Sequence, residues 1–216
     1  MIGAILVLVL AVAGWAWIFV PPQPGIWRRT WVVAGVLVAA CVTDLVARDE
    51  LRVAVGSFSL VAVGIGIAVG IGWLALTHVG HAVLQWIVPS MVAQVRDLYA
   101  IAAGDSRRDI AVAIVALGTA EEFVFRLVVQ REFGIPLAVV AYALVQLVER
   151  NWALVLAGAA CGAVWGVLYA WQDNLTAPLI AHLIWTASLT FVVPLRGPGN
   201  TMLPEADQIA ITTPDT

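Results

Sequence analysis

The sequence predicts an all-α fold, a polytopic bundle of membrane helices, and its composition carries the prediction. Of the 216 residues, 62% are apolar and 12% are charged, whereas a soluble domain has about 45–50% apolar and about 25% charged residues. The mean hydropathy of +0.97 points the same way. This composition excludes a soluble or a disordered chain. At about 20 residues per crossing, we predict about seven transmembrane helices and one interfacial helix.

Three apolar runs in the amino-terminal half are interpreted as membrane helices. The first covers residues 2–20. A secretory signal peptide is the alternative, but the run has no basic segment before it and continues past the small residues that would be cleaved, which favours a retained helix. The second run covers residues 31–47. The third, residues 53–88, is too long for one straight span, and we predict a helix to about His78 that continues, tilted or bent, toward Pro89.

The rest of the chain is divided by its polar segments. Residues 90–107 alternate apolar and polar positions, as in a helix that lies in the membrane interface. Four further apolar runs follow, at residues 109–134, 135–148, 152–171 and 175–195. We therefore predict an amino-terminal part, residues 1–107, a core of four membrane helices, residues 108–195, and a flexible polar tail, residues 196–216.

The charge balance and the two cysteines exclude several classes of partner. A net charge of −3, with no block of like charge, predicts no nucleic-acid partner and leaves the lipid bilayer as the main environment. Cys41 and Cys161 fall in separate apolar runs, which favours buried thiols over a disulfide or a metal pair. The chain has no lysine and is rich in alanine, valine and arginine, which suggests a bacterial protein of the cytoplasmic (inner) membrane.

Three charged residues stand together inside the fourth apolar run. Each of Glu121, Glu122 and Arg126 costs about 2.5–3.5 kcal/mol near the bilayer centre. Glu122 and Arg126 are four residues apart on one helix face and are expected to form an ion pair. Glu121 lies about 100° around the helix and lacks that partner. The cluster is either a structural ion pair with a spare carboxylate or a carboxylate held in a poorly solvated pocket as a general base.

A histidine and a glutamine are predicted to reach the same depth as Glu121. Counting about 1.5 Å per residue from the ends of their helices, Glu121, Gln146 and His182 all lie near the middle of the apolar layer. A single histidine in a membrane helix is alternatively a hydrogen-bonded packing group. The sixth run carries Gly158, Gly162 and Gly166 at a spacing of four, which lets a neighbouring backbone approach closely and predicts a central helix.

These residues resemble the motifs of a known family. The segment Glu121-Glu122-x-x-x-Arg126 is followed by an aromatic-x-x-x-polar step, Tyr142 to Gln146, then by a glycine-rich helix and a helix with His182. In this order and spacing, residues 108–195 are similar to the CAAX prenyl endopeptidase and bacteriocin-processing (CPBP or Abi) family of intramembrane proteases.

The resemblance implies an endopeptidase that hydrolyses peptide bonds of membrane proteins or membrane-associated peptides. It implies that Glu121 activates the attacking water, and that Glu122 and Arg126 hold the helix and the first carboxylate in place. His182 would position that water or a divalent metal such as zinc. If a metal is bound, Glu121 and His182 would be its ligands.

The sequence departs from the family pattern at two positions. Gln146 stands where the family has a histidine, and Thr186 stands where it has asparagine or aspartate. An amide is a poor proton acceptor and a poor zinc ligand, so we predict no tight zinc site. Gln146 and Thr186 are expected to hydrogen-bond a water or an oxyanion instead. Glu149, one turn after Gln146, is one candidate to compensate; His78 and His81 are another.

Three functions follow from these observations. The first is an intramembrane endopeptidase that uses Glu121 as its base. The second is a family member with impaired catalysis that binds membrane partners or confers immunity to a bacteriocin, and the glutamine at position 146 is the feature that favours it. The third is a transporter or channel, which the absence of an inverted repeat in the two halves argues against.

Overall fold

A computed structural model of the chain describes residues 1–20, 25–101 and 105–195. The amino-terminal part contains four helices and a short helical turn. Their bounds are Ile2–Phe19 (α1), Ile26–Ala47 (α2), Leu51–Val55 (α3), Leu60–Ile87 (α4) and Pro89–Ile101 (α5). The predicted interfacial helix corresponds to α5, and residues 102–104 and the predicted polar tail, residues 196–216, lie outside the described residues.

The carboxyl-terminal part contains four longer helical units, and three short segments deviate from α geometry. The helices are Arg107–Glu122 (α6), Arg131–Val145 (α7), Trp152–Gln172 (α8) and Thr176–Ala187 (α9). A π-helical segment, Phe123–Gln130, links α6 to α7; a 3-10 turn, Gln146–Glu149, ends α7; and a second π-helical segment, Ser188–Val192, extends α9. Every regular element in the described ranges is helical, which confirms the all-α class.

Four helices are long and apolar enough to cross a membrane by length and composition. They are α1, α2, α4 and α8. The apolar helix Thr176–Val192 is shorter, α7 has only 15 residues, and α6 carries the charged cluster. An integral membrane protein with several apolar helices is thus supported, whereas the predicted number of seven crossings stays a prediction.

The third apolar run divides at a different place from the one expected. The chain breaks at Gly56, whose φ of 74° favours glycine. It does not break near His78, because α4, which is 28 residues long, includes His78 and continues to Ile87. A Cβ at Gly56 would overlap Asn174 and the carbonyl oxygen of Asp173. Ser59 then caps α4, because its Oγ accepts a hydrogen bond from Ala62 N at 3.4 Å. The break therefore depends on a contact with a distant loop.

The boundary between the fourth and fifth runs was predicted correctly. Gly134 has φ 82° and ψ 171°, which is not helical, and Pro136 follows two residues later. Proline removes a backbone donor and restricts the residue before it, so the helix ends here and restarts. The restart directs α7 back across the bundle, where it packs against α8.

Small residues bring the helices of the core into close contact. A Cβ at Gly66 would lie 2.7 Å from Ala177 O, and one at Gly70 would lie 2.9 Å from Ala181 O. These two glycines of α4 therefore allow the backbone of α9 to approach, which fixes the height of His182. Cys161 of α8 is a free, buried thiol, as is Cys41, in agreement with the sequence.

Candidate active site

The charged cluster lies where α6 changes to π-helical geometry. The π-helical segment Phe123–Gln130 begins directly after Glu122, and seven of its eight residues are buried. Such segments are rare and occur frequently at functional sites, because the wider turn re-aims side chains. Nothing in the hydrophobic pattern distinguishes this geometry from an α-helix.

Glu122 and Arg126 form the predicted ion pair. Arg126 Nε lies 3.3 Å from Glu122 Oε2, and both side chains are 0% exposed. Arg126 Nη1 also donates hydrogen bonds to Gly162 O and Gln130 Oε1, each at 3.2 Å. The guanidinium thus connects the charged helix to the backbone of α8.

Gln130 also belongs to this network, although it is not among the residues predicted from the sequence. It is buried and its amide Nε2 donates a hydrogen bond to Gly166 O at 2.8 Å. Its position four residues after Arg126, in the same apolar run, is the signal that would have identified it.

The glycines of α8 make room for the side chains of the site. A Cβ at Gly158 would lie 3.1 Å from Gln146 Cγ, one at Gly162 3.0 Å from Tyr142 Cδ1, and one at Gly166 3.0 Å from Gln130 Oε1. These distances are shorter than ordinary van der Waals contacts. The glycine stripe therefore serves the polar side chains of α7 and the π-helical segment as well as helix packing.

His182 lies between the two carboxylates. Its Nδ1 is 2.9 Å from Glu122 Oε1, and its Nε2 is 3.4 Å from Glu121 Oε2. The ring is 3% exposed and stacks on Trp165, with centroids 5.9 Å apart and planes at 21°. Trp165 was also missed in the sequence, where it reads as an ordinary apolar residue.

Glu121 has partners that the helix geometry alone does not reveal. As expected, it makes no contact with Arg126 of the kind that Glu122 makes, but Tyr142 Oη donates a hydrogen bond to its Oε2 at 2.8 Å. His182 of α9 also reaches Glu121, with Nε2 3.4 Å from Oε2, in line with the predicted convergence of these two residues. Two adjacent glutamates share one imidazole because that ring comes between them from another helix.

A cavity of about 280 Å³ joins most of the predicted site residues. Glu121, Gln146 and His182 all line it, and so do Tyr142, Glu149 and Thr186. Six large apolar side chains from outside residues 108–195 form much of its wall: Trp15, Phe19, Ile26, Trp27, Leu98 and Ile101. The amino-terminal helices therefore contribute to the wall of the site.

The remaining candidates do not reach this cavity. Glu122 and Arg126 lie behind its wall and are 0% exposed, whereas Glu121 retains 7% exposure. Only Glu121 of the two glutamates can therefore contact a molecule in the cavity. Within the described ranges, neither His78 nor His81 is among the lining residues, so these histidines do not compensate for the one that Gln146 replaces.

The donor set does not fit a metal centre. Among the residues that the structure describes, no group of three or more histidine, cysteine, aspartate or glutamate side chains is arranged to hold a metal ion. Glu121 and His182 supply two donors, and the neighbouring Gln146 supplies only an amide. A catalytic zinc site takes three protein ligands, so we assign no step to a metal.

Thr186 adds a donor to the cavity. Its Oγ1 is buried and has no hydrogen-bond partner in the described part of the chain. A buried hydroxyl without a partner is costly, and such a group is available to a bound molecule. Together with the amide of Gln146, it provides hydrogen-bond donors in the cavity that Glu121 also lines.

The carboxyl-terminal helices match the model of a known protein family. Residues 106–188 match the family model described as "Type II CAAX prenyl endopeptidase Rce1-like". Searches of curated proteins and of solved structures found no match. The matched residues contain all four helices from α6 to α9, with both glutamates, the arginine and the histidine. The similarity to an Rce1-like type II CAAX prenyl endopeptidase (CPBP) domain therefore covers residues 106–188, which are 83 of the 216 residues.

Proposed function

We propose that the protein is an intramembrane endopeptidase that hydrolyses peptide bonds of membrane-associated proteins or peptides. One observation carries the proposal: Glu121 presents a carboxylate to an apolar cavity while Tyr142 and His182 hold its Oε2. A carboxylate fixed in this way, in a cavity with a mostly apolar lining, is suited to take a proton from a water molecule.

The other buried groups support this role for Glu121. Glu122 holds the imidazole of His182 through Nδ1, which turns Nε2 toward Glu121. Arg126 holds Glu122 in turn. This chain of contacts has the logic of a nucleophile-activating triad, in which each group orients the next.

The attack produces an oxyanion that requires hydrogen-bond donors. We propose that Thr186 Oγ1 and the Nε2 group of Gln146 donate to it, since both residues line the cavity. Donors aimed at a developing negative charge are worth about 10²–10³-fold in rate each. Gln146 acts here as a donor, because an amide does not take up protons.

The location of the site supports a substrate with apolar side chains. Much of the cavity wall is aromatic and aliphatic, with Trp15, Phe19 and Trp27 from the first two helices.

We further propose that seven helices cross the membrane, that residues 108–195 form the catalytic core, and that the membrane is the bacterial cytoplasmic one.

Removal of the base tests the proposal. A membrane-tethered peptide should be cleaved by the wild type and not by Glu121→Gln, since the amide has the shape of the carboxyl but accepts no proton. Asp97→Asn is the matched control: it also converts a carboxylate into an amide, at an exposed position outside the cavity, and it should cleave at the wild-type rate. Equal cleavage by wild type and Glu121→Gln refutes the proposal.

A second candidate is a membrane-binding or bacteriocin-immunity protein with impaired catalysis. The presence of Gln146, in place of an ionisable side chain, at the cavity wall favours it. Here the wild type would bind a membrane peptide without cleaving it, and Glu121→Gln would bind equally well. Under the endopeptidase proposal, binding is followed by turnover in the wild type only.

A further inference from the structure

Glu149 is a second carboxyl group in the cavity. It lies in the 3-10 turn Gln146–Glu149 between α7 and α8, outside the membrane-spanning segments, and it lines the same cavity as Glu121. In a 3-10 turn the side chains at positions i and i+3 eclipse each other. Gln146 and Glu149 are three residues apart in this turn, and both line the cavity. The turn therefore directs both side chains to the same side.

The turn that carries Glu149 is held in place at its far end. Asn151 caps α8 by accepting a hydrogen bond from Leu154 N at 3.2 Å, and its amide donates to Gln94 O at 2.9 Å. Arg150 adopts a left-handed conformation with φ 53°, which reverses the chain between the two helices. The position of Glu149 is thus fixed by both α5 and α8.

Among the described residues of the elements that pack against Glu149, no cation lies beside it. The turn packs against α1, α7 and α8, and α1 and α8 contain no charged residue. On α7, Arg131 and Glu132 lie at the opposite end, and the titratable Tyr142 is bonded to Glu121. Arg150 is exposed, as are Arg96 and Asp97 of α5. Glu121 is the charged group that influences Glu149, and its sign disfavours ionisation.

These surroundings keep a proton on Glu149. Burial, and then the negative charge of Glu121, raise the pKa of Glu149 from 4.5 to about 8. The carboxyl group is therefore protonated at neutral pH and can donate. Two other proton-carrying side chains of the cavity have partners already: the hydroxyl of Tyr142 contacts Glu121, and the two nitrogens of His182 contact the two glutamates.

We propose that Glu149 is the general acid that protonates the leaving amine during peptide hydrolysis. The inference rests on the proposed function, in which Glu121 is the base. Glu149, one turn beyond Gln146, would thus donate the proton that the amide of Gln146 cannot supply.

The step balances in atoms and charge. Glu121 takes a proton from water, the water oxygen bonds to the scissile carbonyl carbon, and the carbonyl π electrons move to its oxygen. When the carbonyl reforms, the C–N bond breaks, its electron pair goes to nitrogen, and that nitrogen takes the proton of Glu149. One water is consumed and an acid and an amine are released. The proton on Glu121 then passes through water to Glu149, which restores both groups.

A leaving-group comparison tests the proposal. An amine must be protonated to leave, whereas the alkoxide of an ester leaves with less help from an acid. Glu149→Gln should therefore lower hydrolysis of a tethered peptide amide by about 100- to 10,000-fold, and of the ester of the same sequence by less than about tenfold. Wild-type amide hydrolysis should decline above a pH of about 8, and Glu149→Gln should lack that decline.

The outcomes separate this inference from the function on which it rests. Glu121→Gln should hydrolyse neither substrate, and Asp97→Asn should hydrolyse both at wild-type rates. If Glu121-dependent hydrolysis is found but Glu149→Gln slows amide and ester equally, or slows neither, the inference is overturned and the endopeptidase stands. Hydrolysis that does not depend on Glu121, or no hydrolysis by the wild type, overturns both. Retained ester hydrolysis also shows that the variant is folded.

Discussion

Removal of one member of the buried ion pair should cost far more than removal of both. Glu122 and Arg126 are 0% exposed, and their charged atoms lie 3.3 Å apart. Loss of one partner leaves a buried charge uncompensated, which costs about 3–5 kcal/mol of unfolding free energy. We expect this loss for Arg126→Met and a similar one for Glu122→Gln, which also weakens the contact with His182.

The double variant should recover much of that loss. Arg126 Nε and Glu122 Oε2 attract each other without a hydrogen bond of good geometry, so their attraction offsets their desolvation incompletely. The two substitutions share one interaction, and a coupling of up to about 3 kcal/mol is expected between residues in such contact.

Denaturant unfolding in micelles, followed by the fluorescence of the 10 tryptophans, measures these differences. Arg48→Met is the control, because Arg48 pairs with Asp44, Glu50 and Glu132 at partly exposed positions, where solvent screens ion pairs more than it does in the buried site. Strictly additive losses, or a loss for Arg126→Met no larger than for Arg48→Met, would refute the reasoning.

Three further changes have defined outcomes. Gly162→Ala places a Cβ 3.0 Å from Tyr142 Cδ1, so we expect slower turnover and a loss of about 1–3 kcal/mol of unfolding free energy by overpacking. Gly80→Ala is the control, because a Cβ at Gly80 would have no atom within 4 Å, and it should be neutral in the same unfolding and cleavage assays. The carboxyl of Glu149 releases its proton near pH 4.5 in the unfolded chain but only near about 8 in the folded protein, so the unfolding free energy of the wild type should fall as pH rises through that range. The unfolding free energy of Glu149→Gln should fall less, and parallel curves for the two proteins would contradict the assignment. Gln146→His should raise turnover of a tethered peptide, and no change would show that this position does not act on the substrate.

The local features of the site followed from residue spacing. Glu122 and Arg126 are four residues apart, and that spacing alone predicted their contact. Gly134 and Pro136 identified a helix end, since both are incompatible with a continuous helix. The shared depth of Glu121 and His182 followed from the rise per residue and a correct assignment of helix ends.

The long-range features could not be read in this way. The contact of His182 with both glutamates depends on how closely α9 approaches α6, and this approach is close at Gly118, where a Cβ would lie 3.8 Å from His182 Cε1. The cavity wall includes Trp15 and Trp27, whose position beside the core is fixed by tertiary contacts that no spacing encodes. The π-helical geometry at Phe123–Gln130 has the same hydrophobic pattern as an α-helix, so the sequence does not distinguish the two.

Isotope incorporation during cleavage tests the central claim most directly. Purified protein in lipid vesicles is given a tethered peptide in water enriched in oxygen-18, and the new carboxyl terminus is analysed by mass spectrometry. If Glu121 activates water, the wild-type product carries one oxygen-18 atom from the solvent, and Glu121→Gln forms no product. Equal product from both proteins, or none from the wild type, would contradict the account.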